Sequence, residues 1–182
     1  MSNSLKSDLS QIEEKFPLTL VFCPTCSLAQ LRETVAKETL FKSYVWVTGT
    51  SKAAREFGEK FYNNIAKYFS QEKIFAIEVA SNDGTFLKPF KRAGHKVLGV
   101  DPAENIAKIA NDNEIHTINE FFDSSIANSL VNEYGEADCV FARNVVPHSE
   151  DLHGVIAGIE NCLKPNGVGA IEFHYTHSIL DE

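Results

Sequence analysis

The stretch Ala76-Ile77-Glu78-Val79-Ala80-Ser81-Asn82-Asp83-Gly84-Thr85-Phe86-Leu87 constrains the fold more than any other part of the chain. It reads as a buried strand ending in an acidic residue, then a turn through Asn-Asp-Gly into a helix. A second strand, Val97-Leu98-Gly99-Val100, ends in Asp101-Pro102. Strand, glycine turn, helix and a second strand ending in a carboxylate make a nucleotide-binding half-fold. In such a unit the turn brings backbone close to a ligand, and the second carboxylate can bind a ribose diol. The phosphate-cradling patterns G-x-G-x-x-G and G-x-x-x-x-G-K-[ST] are absent. An acidic residue ending the first strand repels a pyrophosphate and suits a cationic or amine-bearing ligand such as S-adenosylmethionine.

Composition sets outer limits. The 182 residues are 43% hydrophobic, enough for one good core. No apolar run approaches the roughly 20 residues that span a bilayer. The first fifteen residues are polar and read as a frayed end without a secretory signal. The formal charge is −8 and no basic stripe offsets it, which argues against a nucleic-acid partner. Four cysteines do not make a disulfide scaffold at this length. A cytoplasmic protein is the default reading.

Residues 16–50 are short, apolar and irregular and predict a small β-rich lobe with strands near 18–22 and 27–31. Ala54, Phe57, Phe61, Ile65, Ala66 and Phe69 recur at helical spacing, so residues 51–70 predict a long amphipathic helix with Ser51 as its N-cap. From Lys73 strands alternate with helices: strands at 74–80, 96–101, 115–118, 137–142 and 168–174, helices at 84–93, 103–112, 123–133 and 150–163. That alternation predicts an α/β fold, a doubly wound parallel sheet covered on both faces. Lys164-Pro165-Asn166-Gly167 supplies breakers just past the last helix. The expected organisation is a lobe over 1–50, a connecting helix over 51–72 and a cofactor-binding domain over 73–182.

With these residues in hand, the chain resembles the class I S-adenosylmethionine-dependent sugar C-methyltransferases. These act on nucleotide-linked keto-deoxysugars and carry an N-terminal zinc-binding lobe. The matching segments run from Phe16-Pro17-Leu18 through Cys23-Pro24-Thr25-Cys26-Ser27-Leu28-Ala29-Gln30, then Leu40-Phe41-Lys42-Ser43-Tyr44-Val45-Trp46 and Thr48-Gly49-Thr50-Ser51. They continue with Glu78 to Leu87, Gly99-Val100-Asp101-Pro102-Ala103, Ala142-Arg143-Asn144-Val145 and His148. Three departures stand out. The family has Gly where this chain has Ala80. It has two cysteine pairs in the lobe, where this chain has one. It also continues past residue 182 into more sheet and a Tyr-His-Glu-His-type segment with acid–base groups. The chain therefore reads as a fragment, or a truncated product, of such an enzyme.

The resemblance and the residues together name candidate sites. Glu78 and Asp83 flank the first turn and are the candidates for the amino-acid end of the cofactor, with helix N-terminal charge as the plainer reading of both. Ser81, Asn82 and Gly84 supply turn geometry and backbone contact. Asp101, followed by Pro102, is expected to take the ribose hydroxyls. Phe121 or Phe122 either stacks on the adenine or packs in the core. Asn144 follows the fourth strand and is expected to see the cofactor.

Methylation of a carbon beside a ketone needs a proton removed from that carbon. A base that titrates near neutrality suits the task, and histidine is the usual choice, so His148 is the candidate for chemistry. Tyr44 matches a family tyrosine that reaches substrate. Trp46 packs on the nucleotide or anchors the lobe. His174 and His177 match no motif.

Cys23 and Cys26 make half of a tetrahedral zinc site. Cys139, in a core strand, and Cys162, on a helix, are poorly placed to complete it. A redox reading needs the C-x-x-C at a helix start, and Leu28-Ala29-Gln30-Leu31 follows instead. The cofactors expected are S-adenosylmethionine and, through an incomplete site, zinc. The partner expected is a nucleotide-sugar-like small molecule, with no membrane, and an exposed fifth strand favours homo-oligomers. The rival readings are a non-catalytic cofactor-binding or interaction remnant and a small-molecule O- or N-methyltransferase.

Overall fold

The computed structural model describes residue 10 and residues 15–175. Most of the frayed-end expectation for residues 1–15, and His177, lie outside them. Strands β1 (Leu20–Phe22) and β2 (Ala29–Leu31) form an antiparallel hairpin with Val21 opposite Gln30. Helix α1 (Lys37–Phe41) and a 3-10 turn at Thr48–Thr50 lead into α2 (Lys52–Ile65). Ser51 caps α2 as expected, its Oγ accepting from the Ala54 N–H. Then come β3 (Phe75–Val79), α3 (Leu87–Arg92), β4 (Lys96–Val100), α4 (Glu104–Asp112), β5 (Thr117–Ile118), α5 (Ser124–Tyr134), β6 (Ala137–Arg143), α6 (Leu152–Cys162) and β7 (Leu163–Glu172).

The five later strands form one sheet in the order β5-β4-β3-β6-β7, with every pairing parallel. The chain builds outward from β3 through β4 to β5, then returns to the other side of β3 for β6 and β7. Strand order reverses there, and a crevice opens at the carboxyl ends of the strands.

Side chains alternate across the sheet and fill two cores. Phe75, Ile77 and Val79 face Leu130 of α5 with Val155 and Ile159 of α6. Ala76, Cys139 and Phe141 face Ile65 of α2, with Leu87 and Phe90 of α3. Phe90 stacks on Phe141 at 5.5 Å and takes the edge of Tyr62 at 4.9 Å. Such ring pairs add about 0.5–1.5 kcal/mol each beyond their buried area. The helices on both faces make this the doubly wound sheet that the alternation predicted.

Three local expectations are corrected. Helix α3 begins at Leu87 rather than 84, because residues 81–86 wind a turn first. β5 has only two residues. Lys164-Pro165-Asn166-Gly167 does not form a free loop after α6. The helix ends at Cys162, and Leu163 pairs at once with Ala137; the register then jumps to Val168 opposite Cys139. The breaker segment is a bulge inside β7, with Asn166 left-handed at φ 69° and Lys164 Nζ 2.9 Å from Asp138 Oδ1. β7 pairs with β6 alone among the described strands. No helix among the described residues is long and apolar enough to cross a membrane.

Candidate functional site

A cavity of about 900 Å³ lies over the carboxyl ends of the strands. Its floor is Glu78, Ala80, Ser81 and Asn82 at the end of β3. Asp101 and Pro102 after β4, and Phe121 and Phe122 after β5, form one wall. Arg143, Asn144 and His148 after β6 form the other, and Tyr44, Trp46 and Thr48 of the lobe cover it. Sequence reasoning thus placed ten of its twelve non-metal candidates around one space: Glu78, Ser81, Asn82, Asp101, Pro102, Phe121, Phe122, Asn144, His148 and Tyr44.

Asp83 and Gly84 are the exceptions. Neither lines the cavity. The Asp83 carboxylate is buried and accepts from Thr85 Oγ1 (2.7 Å) and from the Gly49 N–H (3.3 Å), with Lys88 Nζ at 3.5 Å. It ties the lobe to the first turn. Gly84 has φ +72°, and a Cβ there would stand 2.6 Å from Ile115 Cγ2. The position needs glycine so that Ile115 can pack.

Glu78 is 3% exposed, and its Oε2 has no hydrogen-bond partner. Burial pushes its carboxyl well above the ordinary 4.5, against the pull of Arg143; Asp101 and Asp83 add to the rise. Ser81 Oγ is likewise buried and unpartnered. Gly99 makes room for it, since a Cβ there would run into Ser81 Oγ and stand 2.7 Å from Thr117 Oγ1. Two buried polar atoms without partners in the wall of one cavity are costly unless a ligand satisfies them.

Asp101 Oδ2 accepts from the Asn82 N–H (2.8 Å), and Oδ1 accepts from the Ala103 N–H (2.9 Å). Burial raises its pKa, and those two amides pull it back. Each oxygen keeps a second lone pair for a hydroxyl donor. Asn82, at φ 50°, holds the lobe down: its Oδ1 accepts from the Thr48 N–H (2.8 Å), and its Nδ2 donates to Trp46 O (3.0 Å). Asn105 on α4 does the same for Tyr44, accepting from its N–H (3.1 Å) and donating to its carbonyl (2.7 Å). Ala80, where the family has glycine, keeps the left-handed turn at φ 54°. Phe122 packs into the core, while Phe121 takes the Lys37 ammonium 4.7 Å from its centroid.

Sequence reasoning missed Arg143 and Glu172. The Arg143 guanidinium lies 3.4 Å from the centroid of Phe86 and pairs with Glu172 through two bonds of 2.7 and 3.2 Å. Asn144, at φ 53°, donates Nδ2 to the same carboxylate (3.3 Å). The signal was present: Arg143 ends an apolar strand just as Glu78 and Asp101 do. His148 is exposed at the cavity rim, on a 3-10 turn at Val146–His148.

Cys23 and Cys26 sit on the β1–β2 turn and do not line the cavity. A closed structural zinc site takes four ligands. Among the described residues no three His, Cys, Asp or Glu side chains gather. Cys139 in β6 and Cys162 at the end of α6 are fully buried. The described residues do not make a complete zinc site.

Residues 77–171 match the family model described as "Methyltransferase domain", and residues 1–41 match the one described as "Putative zinc binding domain". The chain is 31% identical over 169 residues to the C-methyltransferase NovU of Streptomyces niveus, covering 92% of this chain and 40% of that protein. Of solved structures, it is similar to the PH0226 protein from Pyrococcus horikoshii OT3, with a TM-score of 0.60 and 22% identity over 75% of this chain and 61% of that one. It is also similar to DesVI of Streptomyces venezuelae, with a TM-score of 0.55 and 15% identity over 71% and 55%. These two likenesses speak to the fold alone. Sheet order, crevice and family model together define a class I methyltransferase fold. The chain belongs to the methyltransferase-domain family, and it spans about two-fifths of the length of its curated C-methyltransferase relative.

Proposed function

We propose that the cavity binds S-adenosylmethionine and that the protein transfers its methyl group to a carbon of a nucleotide-linked keto-deoxysugar. The observation that carries the cofactor reading is the unpartnered, buried Glu78 Oε2 beside the unpartnered Ser81 Oγ in the cavity wall. A carboxylate there accepts from an ammonium and disfavours a pyrophosphate. When bound, S-adenosylmethionine supplies an electrophilic methyl group.

This chain's own residues do the rest. Glu78 and Ser81 hold the amino-acid end, and Asp101 accepts ribose hydroxyls on the lone pairs its backbone amides leave free. Phe121 offers a ring face for the base. Arg143 lies clamped between Glu172 and Phe86 and balances the Glu78 charge from across the crevice. His148 at the rim takes the proton from the carbon beside the ketone, and Tyr44 meets the acceptor from the lobe side. The C-methyl and sugar parts of the reading are supported by the resemblance of the lobe and turn motifs and by the 31% identity to a C-methyltransferase.

One observation favours a second reading. Among the described residues no carboxylate orients the His148 ring, so the chain is a cofactor-binding module whose acid–base groups come from elsewhere in the protein. Incubation with methyl-labelled S-adenosylmethionine and a nucleotide-linked keto-deoxysugar separates the two. Label in a new carbon–carbon bond, seen by NMR of the product, supports transfer to carbon. Label on oxygen refutes it, and cofactor binding without transfer selects the module.

A further inference from the structure

One cation in the cavity wall has no counter-charge among the described residues. Lys37, on α1 of the lobe, lines the cavity and is half-buried. Its ammonium lies 4.7 Å from the Phe121 centroid, and no described carboxylate pairs with it. A ring face orients a cation without neutralising it. The other permanent cation in the wall, Arg143, is already held by Glu172. Lys37 therefore keeps its charge for a ligand.

That ligand is not the cofactor of the reading above, on which this inference rests. S-adenosylmethionine carries one anionic group, its carboxylate, at the amino-acid end assigned to Glu78 and Ser81. Glu78 lies on β3 and Phe121 follows β5, two strands away in the order β5-β4-β3. Two strand spacings are about 10 Å, so an ammonium held on Phe121 stands away from that carboxylate. The anion belongs to the second ligand.

Charge also sets which way that ligand lies. Past His148 the wall carries Glu150 and Asp151, which repel phosphate. Asp123, two residues past Phe121, is turned to α5, its Oδ1 accepting from the Ser125 and Ile126 N–H groups (2.9 Å each). The lobe side holds the free positive charge. It also holds Trp46, which lines the same cavity and is 51% exposed. The Trp46 carbonyl accepts from Asn82 Nδ2 (3.0 Å), so its backbone is pinned while the indole stays open. An open aromatic face stacks on any nucleobase, and a lysine meets phosphate as a point charge.

We propose that Lys37 and Trp46 form a nucleoside-diphosphate subsite on the lobe side of the cavity. Lys37 meets the diphosphate and Trp46 stacks on the base. The linked sugar then extends across the crevice towards His148. Both residues bind and orient the acceptor, and neither touches the reacting atoms.

Trp46 is the chain's one tryptophan, so its fluorescence reads the subsite directly. The chain is titrated with uridine diphosphate, thymidine diphosphate and uridine in turn, with and without S-adenosylhomocysteine. The expected result is saturable quenching by a nucleoside diphosphate that Lys37→Met weakens at least about tenfold and that Lys37→Arg largely keeps. Added salt should weaken the diphosphate more in the parent than in Lys37→Met. Uridine, which lacks the phosphates, should bind the parent no better than Lys37→Met. If Lys37→Met does not fold, Lys37→Arg and the salt dependence of the parent decide. Calorimetry with S-adenosylmethionine on the same proteins separates the two readings. A chain that binds the cofactor but no nucleoside diphosphate overturns the subsite and leaves the cofactor reading standing. A chain that takes a nucleoside diphosphate through Lys37 but no cofactor does the reverse. A Lys37→Met variant that binds both diphosphates as well as the parent does, or that loses cofactor and diphosphate together, also overturns the proposal.

Discussion

Replacing Glu78 by Gln should raise stability and lower cofactor affinity, two effects of opposite sign from one buried carboxyl. The ordinary value for this group is 4.5, and burial places it well above that in the folded chain. Between the two values the folded state holds a proton that the unfolded chain has released. Fewer protons bound in the unfolded state mean that stability falls as pH rises through this window. Each pH unit over which the fold alone keeps the proton costs about 1.4 kcal/mol, or roughly 3–5 °C of melting temperature at this chain length. Glutamine does not titrate, so the variant lacks this loss. Thermal melts across pH should show the two proteins close together near 4.5 and the variant increasingly ahead above it. Affinity moves the other way. An ammonium-to-carboxylate hydrogen bond is worth about 1.5–3 kcal/mol, so binding of S-adenosylmethionine should weaken roughly 10- to 150-fold. Parallel melts at every pH, together with unchanged affinity, would refute both the buried charge and its role.

Gly84→Ala should cost about 2–5 kcal/mol, from the left-handed φ and the overlap with Ile115, and a denaturant titration measures it. Ala80→Gly should stabilise by about 1 kcal/mol, since relief of the φ 54° strain exceeds the added chain entropy of glycine; the same titration checks its sign. Asn82→Ala removes both bonds to the lobe and should raise hydrogen exchange over residues 44–50 while leaving β3 protected. A lobe that exchanges no faster would mean that Asn105 and Asp83 hold it alone.

The parallel sheet was legible because β3 is buried at all five positions and β4 reads as an apolar run, and both end in charge where the crevice opens. Glu78 and Asp101 stood out as costly carboxylates beside apolar strands. Arg143 gives the same signal, but its value depends on Glu172, 29 residues away, which only β6–β7 pairing brings into contact. The packing roles of Asp83 and Gly84 were not legible because a turn motif does not say what lies behind it: here that is the Gly49 amide and Ile115. The bulge at Lys164–Gly167 was hidden for a similar reason. Pro165 and Gly167 signal a break, and the sheet absorbs it because Lys164 pairs with Asp138 across the strands.

The central claim is that this crevice is a cofactor site, and calorimetric titration of the chain with S-adenosylmethionine tests it most directly. The account predicts saturable one-to-one binding that Asp101→Ala weakens tenfold or more, about 1.4 kcal/mol. A folded chain that takes up no S-adenosylmethionine, or an Asp101→Ala variant that binds it as well as the parent does, would contradict it.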